Sequence, residues 1–280
     1  MHFGVLFFAT EYATSPVEVA RTAEALGFES FWVPEHTHVP EARKTPWPGG
    51  AELPKHYHHL LDPLVTLSAV SSVTTKIKLG TAVVIQTVRD PILTAKAVAT
   101  LDQLSGGRVL LGVGGGWNLE EIADHRTDPA TRWKLLRERV DAMKAIWTND
   151  LAEYHGEFVD FGPMWCWPKP LQKPHPPIVV GGHGPLAIAR TIRYGDVWGP
   201  FLERLHKPFG ELVADLQREA EAAGRGRIPV YVFAAPNDPK GLEELERIGV
   251  ERAIFALPPN VPEGVLPKLE QLGKLIRTLA

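Results

Sequence analysis

Glu35 and His36, at the end of SFWVPEH (30–36), are the side chains best suited to moving a proton. As a residue type, imidazole titrates near neutrality, and a neighbouring carboxylate can orient it. The two alternate along an extended chain, so only one need face a bound molecule. A hydrogen-bonded structural histidine is the plainer alternative. The second constellation is VLLGVGGGWN (109–118), in which Gly112, Gly114, Gly115 and Gly116 precede Trp117. Removing Cβ atoms lets a flat ring lie against backbone, whereas a tight turn accounts for one or two glycines only. The third is GGHG, formed by Gly181, Gly182, His183 and Gly184 before Pro185. Backbone N–H groups at a helix start attract phosphate, and His183 could add a donor. Another tight turn is the alternative. Trp32, Trp47, Trp117 and Trp198 are candidates for an aromatic wall around a small-molecule substrate.

Other chemistry fits less well. EHTH (35–38) and HYHH (56–59) lack helical i, i+4 spacing, and no metal is expected. Cys166 in WCW has no identifiable base and reads as a packed thiol. The glycine run resembles a dinucleotide fingerprint but follows the fourth apolar run and lacks the third fingerprint glycine. The next strand candidate begins about 60 residues later, so no acidic residue stands at the distance a dinucleotide fold needs.

Eight apolar runs can position these groups: 2–8, 30–36, 77–84, 109–115, 177–182, 196–200, 230–235 and 252–258. They are continuous rather than alternating, as in parallel strands buried on both faces. Between them, Ser15-Pro16, Asp62-Pro63, Asp90-Pro91, Asp128-Pro129 and Asp238-Pro239 each place a cap before a proline at a helix start. Ser15 with Glu18 reads as a capping box. Trp133, Leu136, Val140, Met143 and Trp147 share one helix face, and so do Leu93, Ala97, Leu101 and Leu104. Gly106-Gly107 ends the latter helix.

Strand and helix thus alternate eight times in 280 residues. The expectation is an α/β fold, a single (β/α)8 TIM-type barrel domain over 1–280, with a doubly wound open sheet as runner-up. Two inserts stand out, one after strand 2 (about 37–61) and one after helix 4 (about 148–176). The second contains EYHGEFVDF, which reads as a small hairpin, and then a proline-rich return. Long loops in compact domains are usually functional or disordered, and the first leaves a strand where barrels build their sites.

LDQLSGGRVLLGVGGGWNLEE (101–121) resembles the central signature of the luciferase-like flavin and deazaflavin oxidoreductases. AEALGFESFWVPEH (23–36), IKLGTAVVIQTVRDPILTAKAVATLD (77–102) and PIVVGGHGPLAIARTIRYGDVW (177–198) resemble their other strand segments, in the same order. The most similar branch is the set of probable F420-dependent oxidoreductases. The resemblance implies a barrel that holds coenzyme F420 or FMN, usually in a homodimer. It implies a non-proline cis peptide at Ala82–Val83 against the cofactor ring, and a phosphate site at GGHG. Its deazaflavin members carry an Asp-His pair where this chain has Glu35-His36, and some carry a glutamate where Trp117 stands. The sugar-phosphate chemistry of the latter is therefore not carried over.

Composition narrows the field. A net charge of −3 gives no basic face for nucleic acid. HFGVLFF (2–8) is too short to span a membrane. A lone cysteine fits a reducing compartment, so a cytosolic protein is expected. The leading expectation is hydride transfer between F420 and a small organic substrate, with His36 managing a proton and Glu35 orienting the ring or His36. An FMN-dependent monooxygenase and a non-catalytic flavin-binding relative are the alternatives. Arg43, Lys44 and Lys55 in the first insert, or Arg190 and Arg193 after GGHG, are candidates to meet an anionic F420 tail.

Overall fold

The computed structural model describes residues 1–280 except Ala51, Gly184, Asn260, Val261 and Ala280. In chain order the elements are β1 (His2–Leu6), α1 (Pro16–Leu26), β2 (Ser30–Val33), α2 (Pro63–Ser71), β3 (Lys78–Thr81), β4 (Val84–Ile85) and α3 (Pro91–Ser105). Next come β5 (Val109–Gly114), α4 (Leu119–Asp124), α5 (Arg132–Thr148), β6 (Leu151–His155), β7 (Asp160–Trp165), β8 (Ile178–Gly181) and α6 (Pro185–Tyr194). β9 (Val197–Gly199), α7 (Phe209–Ala222), β10 (Tyr231–Phe233), α8 (Pro239–Ile248), β11 (Arg252–Ala256) and α9 (Pro262–Thr278) complete the chain.

Eight parallel strands run side by side in the order β10-β11-β1-β2-β3-β5-β8-β9. Isolated parallel bridges, Trp198 with Val230 and Phe201 with Phe233, bring β9 back to β10. The result is a nearly closed TIM-type barrel ringed by helices. All eight expected strands are present, but SFWVPEH stays extended only to Val33, which leaves Glu35 and His36 in the loop beyond. IKLGTAVV breaks in two. β3 pairs Leu79 with Val109 and Gly80 with Leu110, whereas β4 pairs Val84 with Val113 and Ile85 with Gly114. The five residues from Gly80 to Val84 therefore face the four from Leu110 to Val113, a bulge of one residue. The Ala82–Val83 peptide inside it is cis, as expected.

Two apolar layers result. Leu6, Trp32, Leu110, Val179, Val197, Tyr231, Phe233 and Ile254 form one cluster, the barrel filling. The larger cluster lies between strands and helices and includes Val5, Phe31, Leu79, Val113, Leu136 and Val180. The tight filling explains several glycines: a Cβ on Gly80 would stand 2.1 Å from the Trp32 ring.

Local signals hold in part. Asp62, Asp90 and Asp238 cap α2, α3 and α8 through their side chains. Ser15 makes no side-chain cap to α1, so the capping box is absent. Asp128-Pro129 forms a turn closed by Asp128 Oδ1 accepting from Ala130 N, and α5 starts later, at Arg132. The expected face of α5 is buried at Leu136, Val140, Met143 and Trp147. That of α3 is not. Leu93 and Leu104 are 72% and 69% exposed, while Thr94, Ala95, Val98, Leu101 and Asp102 turn inward. Small residues let this helix lie close to the sheet, and the leucine spacing marks a different face. The second insert folds as the antiparallel β6–β7 hairpin. Among the described residues no helix is long and apolar enough to cross a membrane.

Candidate active site

A cavity of about 240 Å³ opens at the C-terminal ends of the strands. Phe8 follows β1, Pro34, Glu35 and His36 follow β2, Ala82 and Val83 form the bulge after β3, and Ile85 ends β4. Gly116 and Trp117 follow β5, His183 follows β8, and Phe201 and Glu203 follow β9. Trp47, Pro48 and Tyr57 from the first insert cover one side. Six strand ends thus converge on one space, the geometry in which barrel enzymes assemble sites from separate loops.

His36 is fixed on both ring nitrogens. Trp117 Nε1–H donates to His36 Nε2 at 3.0 Å. Nε2 must therefore carry the lone pair, so Nδ1 carries the hydrogen and donates to Glu121 Oε2 at 2.6 Å. Glu121 is fully buried in the first turn of α4, and its other oxygen accepts from Thr37 N at 2.7 Å and Thr37 Oγ1 at 3.0 Å. Burial works to raise the Glu121 carboxyl, but the hydrogen bonds from His36 and Thr37 outweigh it and hold the pKa below the usual range. The carboxylate orients the imidazole, the indole N–H occupies the lone pair of Nε2, and His36 and Trp117 both line the cavity. Tyr57 packs against both rings, at 5.5 Å from His36 and 6.4 Å from Trp117.

Glu35 lines the cavity but does not meet His36. It neither orients His36 nor reaches toward it. Its Oε2 accepts from Ile85 N at 2.6 Å, and its Oε1 accepts from Arg89 Nε at 2.6 Å. Arg89 also pairs with Asp62, the cap of α2. Burial pushes the Glu35 carboxyl up, while Arg89 and the Ile85 N–H oppose that rise. Glu35 thus ties the loop after β2 to the bulge after β3. Its longer arm, compared with aspartate, spans that gap.

The glycines also have a different use. A Cβ on Gly112 would lie 1.9 Å from Thr81 O, on Gly114 2.5 Å from Val83 Cγ2, and on Gly181 2.9 Å from Val83 Cγ1. These three make room for the bulge. Gly115 makes room for Trp133, whose ring a Cβ would meet at 2.7 Å. Gly116 is at the cavity itself, with φ +72°. Gly182 adopts φ +124°. Gly184 lies outside the described residues. Of the three glycines expected to clear the mouth of this strand, Gly116 lines the cavity, while Gly114 and Gly115 adjoin Val83 and Trp133.

Of the four tryptophans, Trp47 and Trp117 line the cavity. Trp32 and Trp198 do not. Trp32 fills the barrel, bonded to Ser30 Oγ and packed edge-on to Phe233. Trp198 is fully buried and donates to Gly182 O. Among the basic candidates, Arg43 lies over the Trp117 ring and Arg190 over Trp133. Lys55 lies over Tyr12. HYHH forms a short 3₁₀ turn in which His56 packs on Phe8 and His59 bonds Glu11. Among the described residues no group of three or more His, Cys, Asp or Glu could hold a metal ion. Glu121, Thr37, Tyr57 and Arg89 are the participants that sequence reasoning missed. The one available signal was Asn118, whose side chain caps α4 at Glu121 N and thereby sets Glu121 in the first helical turn.

The luciferase-like monooxygenase family model matches residues 1–239. An uncharacterized protein of Mycobacterium tuberculosis is 42% identical over 278 residues, 98% of each chain. An F420-dependent glucose-6-phosphate dehydrogenase of Amycolatopsis mediterranei is 33% identical over 187 residues, 64% of this chain and 51% of the relative. An FMNH(2)-dependent dimethylsulfone monooxygenase of Pseudomonas putida is 31% identical over 217 residues, 75% of this chain and 58% of the relative. The solved coenzyme F420 dependent tetrahydromethanopterin reductase of Methanopyrus kandleri superposes with a TM-score of 0.77 at 18% identity, over 100% of this chain and 99% of that one, and so shares the fold. With most of its length matched by the family model and its barrel superposing end to end, the chain belongs to the luciferase-like monooxygenase family.

Proposed function

We propose that the protein is an oxidoreductase that transfers a hydride between coenzyme F420 and a small organic substrate in the cavity beside His36. The observation that carries this reading is a pair of cation–π contacts: Arg43 lies over Trp117, a ring that lines the cavity, and Arg190 over Trp133, the ring for which Gly115 makes room. Guanidinium groups stacked on these rings suit a cofactor whose tail is anionic beyond the phosphate. The residues present fit a flat ring. The bulge at Ala82 and Val83, the bare Gly116 and the faces of Phe8, Tyr57 and Phe201 give an apolar slot, and polar atoms converge from His36, Trp117 and His183. About 240 Å³ is below the ~300 Å³ at which pockets begin to enclose a whole drug-sized ligand, which suits the ring end with chain and phosphate outside. Gly181, Gly182 and His183 would hold the phosphate where α6 begins.

When bound, the cofactor supplies the hydride chemistry. The chain supplies orientation and a proton site. His36 Nε2 is the basic atom: Trp117 Nε1–H holds its lone pair in the unprotonated form and has to turn away when Nε2 takes a proton, and Glu121 steadies the imidazolium formed. Trp47 and Tyr57 keep water from the slot. The His36–Glu121 pair speaks against a non-catalytic relative.

The FMN-dependent monooxygenase is the second reading, favoured by a relative of comparable identity. Titration of the apoprotein with F420 and with FMN at low and moderate salt separates the two. F420 should bind more tightly and weaken more with salt. Tight FMN binding without measurable F420 affinity would overturn the first reading.

The chain is further read as one barrel domain with inserts at 37–61 and 148–176, in a cytosolic homodimer. The buried Cys166 fits a reducing compartment. Exposed Leu93, Leu104, Trp165 and Trp167 support pairing, because Lys96 and Gln103 of α3 bond the backbone of Trp167 and Lys169 and so bring these groups onto one face. Sedimentation should give a dimer, and a Leu93→Glu/Leu104→Glu variant a monomer. A monomeric wild type would remove the pairing.

A further inference from the structure

The His36–Glu121 pair does not end at Glu121. Thr37 has one hydroxyl hydrogen, which it gives to Glu121 Oε1 at 3.0 Å. With that hydrogen committed, Thr37 Oγ1 accepts from two more imidazoles, His125 Nε2–H at 2.9 Å and His38 Nδ1–H at 3.0 Å. His38 Nε2 in turn lies 3.0 Å from Asp124 Oδ2. Exposure rises along this series. The His36 and Glu121 side chains are 4% and 1% exposed, those of His38 and Asp124 39% and 60%. An unbroken set of hydrogen bonds therefore runs from the cavity wall to the outer side of α4, and it consists entirely of groups that can give and accept protons.

We propose that Thr37, His125 and His38 form a proton path that connects the His36–Glu121 pair to bulk water. This rests on the reading of His36 as the group that takes a proton in the cavity. A proton taken at Nε2 leaves from Nδ1 to Glu121 Oε2. A half-turn of the carboxyl about its Cγ–Cδ bond brings that proton to the Thr37 side. His125 first changes tautomer through water, so that Nε2 carries the lone pair; the Thr37 hydroxyl then accepts the Glu121 proton, passes its own hydrogen to Nε2, and the imidazolium formed releases its Nδ1 hydrogen to water. No other bond forms or breaks, and the reverse sequence recharges His36. Burial and the neighbouring His38 hold His125 below the ordinary histidine range, against Glu121 and Asp124, which favours the neutral ring that the relay needs. Arg139 is the further charge acting on His125. The path gives His36 an exit that does not cross the cavity, so a bound ring or substrate need not dissociate for the proton to leave.

The test begins without cofactor or substrate. Solvent exchange of the His36 Nδ1 proton is measured by ¹⁵N-edited NMR in the apoprotein. Thr37→Val keeps the backbone N–H to Glu121 and removes only the hydroxyl. Exchange should slow by about tenfold, comparable with the worth of one hydrogen bond, and Thr37→Ser should restore it. His125→Gln/His38→Gln should slow it likewise, with the His36 ring ¹⁵N shifts unchanged. Unchanged or faster exchange in Thr37→Val would overturn the path. In turnover, Thr37→Val should lower kcat but not raise KM, and small imidazole buffers should restore the rate. A wild type inactive with either cofactor would remove the functional reading, while the apoprotein exchange rates would still decide the path.

Discussion

Glu35 is the residue whose assignment changed most, and its substitution gives a quantitative test. Glu35→Gln keeps the size of the side chain and an oxygen to accept from Ile85 N, but removes the charge facing Arg89. Breaking a buried pair by removing one partner costs about 3–5 kcal/mol. Two features reduce this here: Arg89 keeps Asp62, and its side chain is 21% exposed. A loss of about 2–3 kcal/mol is expected, which is roughly 4–12 °C in Tm for a chain of this size. Arg89→Gln should destabilise as well, with a sign that can be checked. It leaves a carboxyl that burial already pushes up. A group with a raised folded pKa takes up a proton on folding, and its contribution is lost as pH rises through that pKa. The Arg89→Gln deficit should therefore shrink as pH is lowered from 8 toward 5. The assay is thermal and urea unfolding of both single variants and the double variant. A coupling energy of about 1 kcal/mol or more is expected for groups in contact. Additivity within ~0.5 kcal/mol, together with a large loss of turnover in Glu35→Gln, would show that the carboxylate acts on the chemistry and not on the bulge.

His36→Ala should keep cofactor affinity and lose about 10²–10⁴-fold in turnover, the usual worth of a positioned acid/base, read from steady-state rates beside a binding titration. Gly112→Ala should destabilise severely, because its Cβ meets the Thr81 carbonyl, which is backbone and cannot swing away. Gly162→Ala in the hairpin, where a Cβ meets nothing within 4 Å, should shift stability by no more than about 0.5 kcal/mol. Equal Tm values for the two variants would refute the packing account.

The barrel was legible because parallel strands buried on both faces read as apolar runs, and because Asp-Pro at a helix start has a local cause. What failed was non-local. Leucines at 93 and 104 repeat at helical spacing, but only the neighbouring sheet determines that Thr94, Ala95 and Val98 face it instead. Trp32 and Trp198 sit on strands whose two faces are both buried, so residue type could not say which pointed to the cavity. Glu121 was missed because its partner is 85 residues away. The cis bond at Ala82–Val83 was expected only through the family resemblance, since TAVV alone reads as an ordinary strand end.

The one-residue bulge between β3 and β4 bears on how relatives of this chain should be aligned. Because Gly80 to Val84 spans one residue more than Leu110 to Val113, the inward and outward sides exchange across it. A single-residue gap here would look like harmless variation in loop length. In space it would turn Val84 and Ile85 over and move the backbone N–H of Ile85 away from Glu35. Sequences that carry such a gap should therefore also lack the Glu35–Arg89 pair, and an aligner that slides the gap by a few positions will assign the cavity wall to the wrong residues.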